Sequence, residues 1–184
     1  EFSAADLAVL GDLGALAEDE FAAISAATTD ELTGLFNRRG FNQLVRFTLS
    51  VARRRAEPLT LGWLDLDRFK EINDRYGHEE GDKALKVMAQ LMRSAFREAD
   101  MLVRFGGDEF AVLFADTDEQ GAWIAMQYLA EQVESYNARK LHPWSLHFSW
   151  GLSEFDHNGN DLQQWLKDAD EKMYAMKQQR QRAR

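Results

Sequence analysis

Two hydrophobic periods alternate along this chain, and the switches between them mark its elements. Leu7, Leu10, Gly14, Ala17, Phe21 and Ile24 fall at spacings of three and four, a heptad-like seam over residues 1–27. Gly14 weakens it; an amphipathic helix folded onto the domain and a dimer-forming stalk both fit. Thr28-Thr29-Asp30 breaks the pattern, and Asp30 to Leu35 reads as a turn. Asn37 then stands as N-cap of a helix from about Arg38 to Arg55, with Phe41, Leu44, Val45, Thr48 and Leu49 on its apolar face. Leu59 to Leu66 is a near-continuous apolar run, as expected of a central strand buried on both faces. A short helix starts at Arg68, with Asp67 available as its cap, and Tyr76 to Asp82 reads as a loop punctuated by glycines. The next helix reaches about Arg97, with Leu85, Met88, Ala89 and Met92 on one face.

Met101–Phe105 and Phe110–Ala115 are strand-like runs joined through Gly106-Gly107, a hairpin signal, because glycine supplies the positive φ of a tight turn. Asp118 to Lys140 reads as a helix with Ile124, Leu129 and Val133 apolar, Ser145 to Phe155 as a strand, and residues 158–160 as a turn. The last helix runs from Asp161 to Arg180 with Leu162, Leu166, Ala169, Met173 and Met176 inward. One tight hairpin, with helices crossing between the other strands, predicts a mixed sheet covered by helices.

Composition narrows the chemistry. The 184 residues are 45% hydrophobic and 29% charged, which suits one globular domain with an extension. No apolar run approaches the ~20 residues of a membrane span, no signal-peptide pattern is found, and a cytoplasmic setting is expected. Cysteine is absent, which excludes disulfides and thiolate catalysis. The net charge of −9 argues against a nucleic-acid partner. It also means that a phosphate ligand would need added cations, for which Mg²⁺ is the usual answer.

Asp65 ends the buried strand and Asp108 tops the hairpin, so neighbouring strands would bring the two carboxylates over one sheet edge. Two carboxylates, a backbone carbonyl and substrate phosphates describe a Mg²⁺ site, and two such ions could bridge a triphosphate. The alternative is a pair of solvated edge acids. Asn73 and Asp82 suggest a base pocket, because a carboxylate accepts from guanine N1–H and the exocyclic amino group at once; the alternative makes Asn73 a helix C-cap and Asp82 an N-cap. Lys70 could meet a phosphate or stand solvated. His78 could touch a ligand, but bracing its loop is favoured. Asp30, Arg38 and Arg39 read as structural charges. The backbone at Gly106 and Gly107 is bare enough for a ligand to approach.

In order along the chain stand Asp30-x-Leu32-Thr33-Gly34-Leu35-x-Asn37-Arg38-Arg39, Asp65-Leu66-Asp67-x-Phe69-Lys70-x-Ile72-Asn73-Asp74-x-Tyr76-Gly77-His78-x-x-Gly81-Asp82, Arg104-x-Gly106-Gly107-Asp108-Glu109-Phe110, Ser149-x-Gly151 and Ala169-Asp170-x-x-Met173-Tyr174-x-x-Lys177. Together these resemble the GGDEF domain of the diguanylate cyclase family. The resemblance implies an α/β (α+β), palm-like fold with a central mixed, mostly antiparallel sheet of about five strands flanked by helices. It implies a catalytic domain over residues 28–184, preceded by a lead helix or linker from an upstream sensor region, and condensation of two GTP into cyclic di-GMP and two pyrophosphates. Asp65, the Leu66 carbonyl and Asp108 would hold two Mg²⁺ (Mn²⁺ being an alternative). Asn73 and Asp82 would read guanine, and Gly106 and Gly107 would admit the nucleotide. Phe69, His78 and Lys177 would line the nucleotide site, and Lys70 would stabilise transition-state charge. Asp108 or Glu109 would take the proton of the 3′-hydroxyl; because adjacent side chains of an extended chain point opposite ways, the two acids are expected to divide metal holding and proton transfer. Gln181 stands where the family has an arginine, between Arg180 and Arg182.

Arg97 and Asp100 form an Arg-x-x-Asp at the spacing that marks the family's product-inhibition site, and an arginine fork matches guanine O6 and N7. A two-fold symmetric product implies a homodimer, one GTP on each chain. Two other classes compete: a catalytically silent GTP- or cyclic di-GMP-binding module, and a related cyclase or polymerase palm with another substrate. The retention of Asp65, Lys70, Asp108 and Glu109 favours the enzyme over the first, and the Asn73/Asp82 pair favours guanine over the second.

Overall fold

A computed structural model describes residues 25–157 and 161–182. The expected lead helix lies almost wholly outside the described residues, as does the turn at 158–160. The elements are α1 (Arg38–Arg55), β1 (Leu59–Leu66), α2 (Phe69–Tyr76), α3 (His78–Ala95), β2 (Met101–Gly106), β3 (Glu109–Ala115), α4 (Glu119–Ala138), β4 (Phe148–Glu154) and α5 (Leu162–Arg182).

The sheet order is β2-β3-β1-β4, and every strand pair is antiparallel. The described residues thus hold four strands rather than about five, in an antiparallel rather than mixed sheet. What remains of a fifth is Phe36, which bridges Val103 in parallel at the outer edge of β2. Its N–H donates to Leu102 O (3.0 Å) and its carbonyl accepts from Arg104 N (2.8 Å). Asn37 immediately caps α1, its Oδ1 accepting from Gly40 N at 2.9 Å, so one residue is all the chain can spare for pairing.

β1 lies between β3 and β4 and all eight of its residues are buried. Its alternation sorts the core into two layers. Leu59, Leu61 and Trp63 pack with Phe41, Val45 and Leu49 of α1 and Trp165, Ala169 and Met173 of α5. Leu64 and Leu66 pack with Leu85, Met88 and Met92 of α3 and Met126, Leu129 and Val133 of α4. Asp65 continues the odd-numbered series and therefore faces the α1/α5 layer.

Several expectations are corrected. Residues 78–82 are not loop: Gly77, at φ 89° and ψ 161°, caps α2 and opens α3 directly. Glu79 and Glu80 then occupy the first turn, where acids suit the helix dipole. Asp67 does not cap α2; that position is Arg68, in the left-handed region at φ 59°. Leu44 (37% exposed) and Ile124 (60%) point to solvent, because Phe41, Val45 and Leu49 on α1 and Ala122, Met126, Leu129 and Val133 on α4 complete the buried stripes without them. β4 starts at Phe148 rather than Ser145. The Leu146 N–H and carbonyl are both taken by the Asn137 side chain (2.9 and 2.7 Å), which removes them from the ladder.

Candidate active site

The end of β1 is where the chain gathers charge. Asp65 is the register partner of Glu109 in β3 and of Ser149 in β4. One residue further on, Leu66 N–H donates to Asp108 O at 3.2 Å, which lays the hairpin turn against the strand end. The expected convergence of Asp65 and Asp108 is therefore built by pairing of β1 with β3. Glu109, directly across the strand pair from Asp65 and so on the same face, lines a broad cleft between α1 and α5 with Arg38, Trp63 and Phe105.

The turn is held open from behind. Gly106 (φ 145°) and Gly107 (φ 52°) adopt backbone that other residues avoid, and a Cβ on either would meet nothing within 4 Å. Arg104 clamps them: Nε and Nη2 donate to Gly107 O (3.1 and 2.8 Å), and Nη1 forks onto both carboxylate oxygens of Asp30 (3.0 and 3.1 Å). Asp30 also accepts from Thr33 N (2.9 Å) and Thr33 Oγ1 (2.6 Å). Burial opposes ionisation of Asp30, but these donors overcome it and hold its pKa below the ordinary 3.8. A depressed carboxylate stabilises the fold above its unfolded pKa and loses that contribution as pH falls through the folded value. Arg104→Ala should thus cost ~2 kcal/mol near neutrality, less than a fully buried pair because both side chains are partly exposed. In urea titrations the gap between variant and wild type should narrow below about pH 4, to what the bonds to Gly107 O contribute; a gap independent of pH would remove the ion pair from the account. Sequence reading left Asp30 and Arg104 unlinked, since 74 residues separate them.

α5 brings cations to the same edge. Lys177 Nζ donates to Asp65 Oδ1, and one helical turn on Arg180 Nη1 reaches Asp67 Oδ2 (3.4 Å) and Phe148 O. Asp67 also accepts from Ser149 Oγ at 2.8 Å, so the acid expected as a helix cap belongs to the site instead. Burial pushes the Asp65 pKa up, and the charges of Asp108 and Asp67 push it further, against the bond from Lys177. Burial alone would lower the Lys177 pKa, yet Asp65, Asp108 and Asp67 together raise it. The asymmetry is physical: the lysine faces three carboxylates, whereas Asp65 faces one lysine and two like charges.

That surplus of negative charge on hard oxygens fits a divalent cation. Among the described residues no three Asp, Glu or His side chains form a ready-made cage. An ion held by Asp65, Asp108 and the Leu66 carbonyl would complete its shell from water and a bound phosphate, as Mg²⁺ commonly does.

The elbow between α2 and α3 carries the expected base readers. Asn73 lies in the last turn of α2, and its Oδ1 packs so closely on Gly81 that a Cβ there would overlap it. Asp82, one residue on, is exposed inside α3. Neither is a cap, since Gly77 fills both capping positions, and the mundane alternatives for these two residues fall away. Phe69 is half-buried against the core at the start of α2, and Lys70 is exposed beside it. His78 is exposed at the first position of α3, so there is no loop for it to brace.

Arg97 and Asp100 stand apart from this edge, between α3 and β2. Arg97 N donates to Asp100 Oδ2 (2.9 Å) and its guanidinium to Thr117 Oγ1 (2.6 Å) and Ala115 O (3.1 Å), while Asp100 is 8% exposed. The side chain of Gln181 lies outside the described residues.

Comparison with known proteins places this geometry in a family. Residues 27–183 match the family described as diguanylate cyclase, GGDEF domain. The chain is 38% identical over 143 residues to cyclic di-GMP phosphodiesterase NbdA of Pseudomonas aeruginosa, covering 78% of this chain and 18% of that protein. It is 33% identical over 151 residues to the probable diguanylate cyclase DgcC of Escherichia coli, covering 82% and 41%. Among solved structures it resembles the coiled coil and GGDEF domain of DgcB from Caulobacter crescentus in complex with c-di-GMP, with a TM-score of 0.84 and 26% identity, over 95% of this chain and 93% of that one. The chain belongs to the GGDEF domain family. It spans less than half the length of both curated relatives. No described helix is long and apolar enough to cross a membrane.

Proposed function

We propose that this chain is the catalytic domain of a diguanylate cyclase, over residues 28–184, which condenses two GTP into cyclic di-GMP and two pyrophosphates. The observation that carries the reading is the approach of Asp108 to Asp65 at the buried end of β1, with Lys177 bonded to Asp65 at the same edge. The cyclase name of DgcC and the c-di-GMP in the DgcB structure agree with it; the phosphodiesterase name of NbdA means that resemblance alone does not decide the activity.

Each step has a group available in this chain. Asn73 and Asp82 read the guanine edge, and the bare turn at Gly106-Gly107 admits the nucleotide. Phe69 and His78 flank the nucleotide where α2 and α3 begin. Lys177 and Arg180 sit one turn apart on α5 and face the phosphates, which offers a replacement for the family arginine missing at 181. Mg²⁺ or Mn²⁺ on Asp65, the Leu66 carbonyl and Asp108, two ions per site, would neutralise phosphate charge. Asp108 or Glu109, the latter cross-strand from Asp65, takes the proton of the ribose 3′-hydroxyl. That oxygen bonds to the α-phosphorus of the GTP on the facing chain, the bond to the β-phosphate oxygen breaks, and pyrophosphate leaves. Lys70 stabilises the charge that develops. A second, symmetric transfer closes the ring, which requires a two-fold dimer. Cyclic di-GMP binding at Arg97 and Asp100 provides feedback inhibition, and the reaction runs in the cytoplasm.

Incubation with GTP and Mg²⁺, followed by chromatography, should yield cyclic di-GMP and pyrophosphate from the wild type and none from Asp108→Ala. Undiminished turnover by Asp108→Ala would remove the metal assignment. Nucleotide binding without any product, in the wild type at concentrations that dimerise it, would point to a silent binding module.

A further inference from the structure

The segment joining α4 to β4, residues 139–147, lies against the α2–α3 elbow. Trp144 Nε1 donates to Glu80 Oε2 at 2.7 Å, although 64 residues separate them, and Tyr76 Oη donates to Pro143 O at 2.9 Å. His142 stacks flat on Trp144, with ring centroids 4.3 Å apart and planes 10° from parallel. It places Nδ1 3.6 Å from the same Glu80 oxygen. The other Glu80 oxygen accepts from Lys83 Nζ at 2.7 Å. The far end of the segment is pinned to α4 by the paired bonds between the Asn137 side chain and Leu146. Trp144 is 7% exposed. A connector of this length has no need of two side-chain bonds to a distant helix start and a stacked ring pair.

What these contacts grip is the first turn of α3. Glu80 lies two residues before Asp82 and one before Gly81, the glycine on which Asn73 packs. The joint between α2 and α3 is a single residue, Gly77, at φ 89°. A glycine joint is permissive, so the relative setting of Asn73 and Asp82 comes from side-chain contacts, the packing of Asn73 on Gly81 and the bonds to Glu80 among them. We infer that the Glu80–Trp144–His142 clasp positions Asp82 against Asn73, and so governs how well this domain tells guanine from other bases. The inference rests on the reading of Asn73 and Asp82 as the guanine contacts. A carboxylate set correctly accepts from both N1–H and the exocyclic amino group, whereas inosine triphosphate lacks that amino group and offers one donor. Loosening the clasp should therefore weaken GTP more than ITP, because a two-point contact is the one that misplacement breaks.

Trp144→Phe keeps the stacked ring and removes the N–H; Glu80→Ala removes the acceptor from the other side. Calorimetric binding of GTP and ITP should show each variant losing about five-fold in GTP affinity, the worth of one hydrogen bond, with a smaller loss for ITP. The ratio of the two affinities falls accordingly. Glu80→Gln, which keeps an acceptor for the indole, should restore most of the ratio. A ratio unchanged in both Trp144→Phe and Glu80→Ala, whatever happens to Tm, would overturn the proposal and leave the clasp a stabilising contact. Asp82→Ala, which removes the carboxylate itself, separates the two levels of the argument. If it leaves the ratio intact, the base-pocket reading fails and the inference falls with it; if it lowers the ratio while the clasp variants do not, the clasp alone is wrong.

Discussion

Asp65→Asn should abolish turnover and, at neutral pH, raise the thermal midpoint of the chain. Removing a preorganised charge from a site of this kind costs roughly a hundred- to a thousandfold in rate, and more where a cation depends on it. The gain in stability comes from the same charge. The Asp65 side chain is 12% exposed, and burial, Asp108 and Asp67 all disfavour its ionised form. Its folded pKa is therefore raised, so stability is lost as pH rises from the unfolded pKa through the folded one, and the penalty grows toward neutral pH. Asparagine fills the same volume without charge, and Lys177 keeps the fields of Asp108 and Asp67. A gain of about 1 kcal/mol would appear as ~2–4 °C in Tm for a chain of this length. The advantage should fade in acid, where the wild-type carboxyl takes up its proton. A midpoint equal to or below wild type at neutral pH would mean that Lys177 fully compensates Asp65, and the strained-site account would be wrong. Functional carboxylates held at a cost to the apo fold are a common origin of trade-offs between stability and activity.

Gly151→Ala should be among the most destabilising single-methyl changes in the molecule. Gly151 lies in β4 opposite Trp63, and α5 crosses directly over it. A Cβ there would overlap Met173 N and Ala169 O and come within 2.8 Å of Lys172 C, all backbone atoms that no rotamer change can move. The helix would have to lift bodily from the sheet. It carries Trp165, fully buried with Nε1 donating to Ser153 O at 2.6 Å, and Lys177. Overpacking of this kind costs about 3 kcal/mol, or ~6–12 °C at this chain length. Thermal unfolding measures it, and a midpoint within about 2 °C of wild type would show that α5 yields easily. Activity should fall as well, since Lys177 rides on the displaced helix.

Local patterns announced most of the elements and few of their junctions. The continuous apolar run at Leu59–Leu66, the Asn37 cap and the hairpin through Gly106-Gly107 appear where expected because each depends on neighbours along the chain. The misreadings share one cause. Gly77 and Gly81 look like loop punctuation, yet one is a joint and the other a helix residue kept bare for Asn73. Asp67 has the look of a cap, but Ser149 and Arg180 claim it from 82 and 113 residues away. Leu146 belongs to an apolar alternation, but Asn137 takes its backbone groups. In each case a partner beyond the immediate pattern, eight residues away for Gly81 and 113 for Asp67, overrode a sound local preference.

The order of residues along the chain was sufficient to specify which chemical groups are present: the carboxylates at 65, 108 and 109, the lysines, the amide at 73 and the absence of any thiol. It also specified the periods that make helices and strands, because period and capping act over a few residues. Whether those groups meet was decided by tertiary structure alone. Pairing of β1 with β3 sets Asp65 beside the turn, the close seat of α5 on Gly151 delivers Lys177, and a tryptophan 64 residues on from Glu80 grips the elbow of Asn73 and Asp82. Electrostatic and hydrogen-bond energies depend on separations through space, and a linear sequence does not contain those separations until the core has closed.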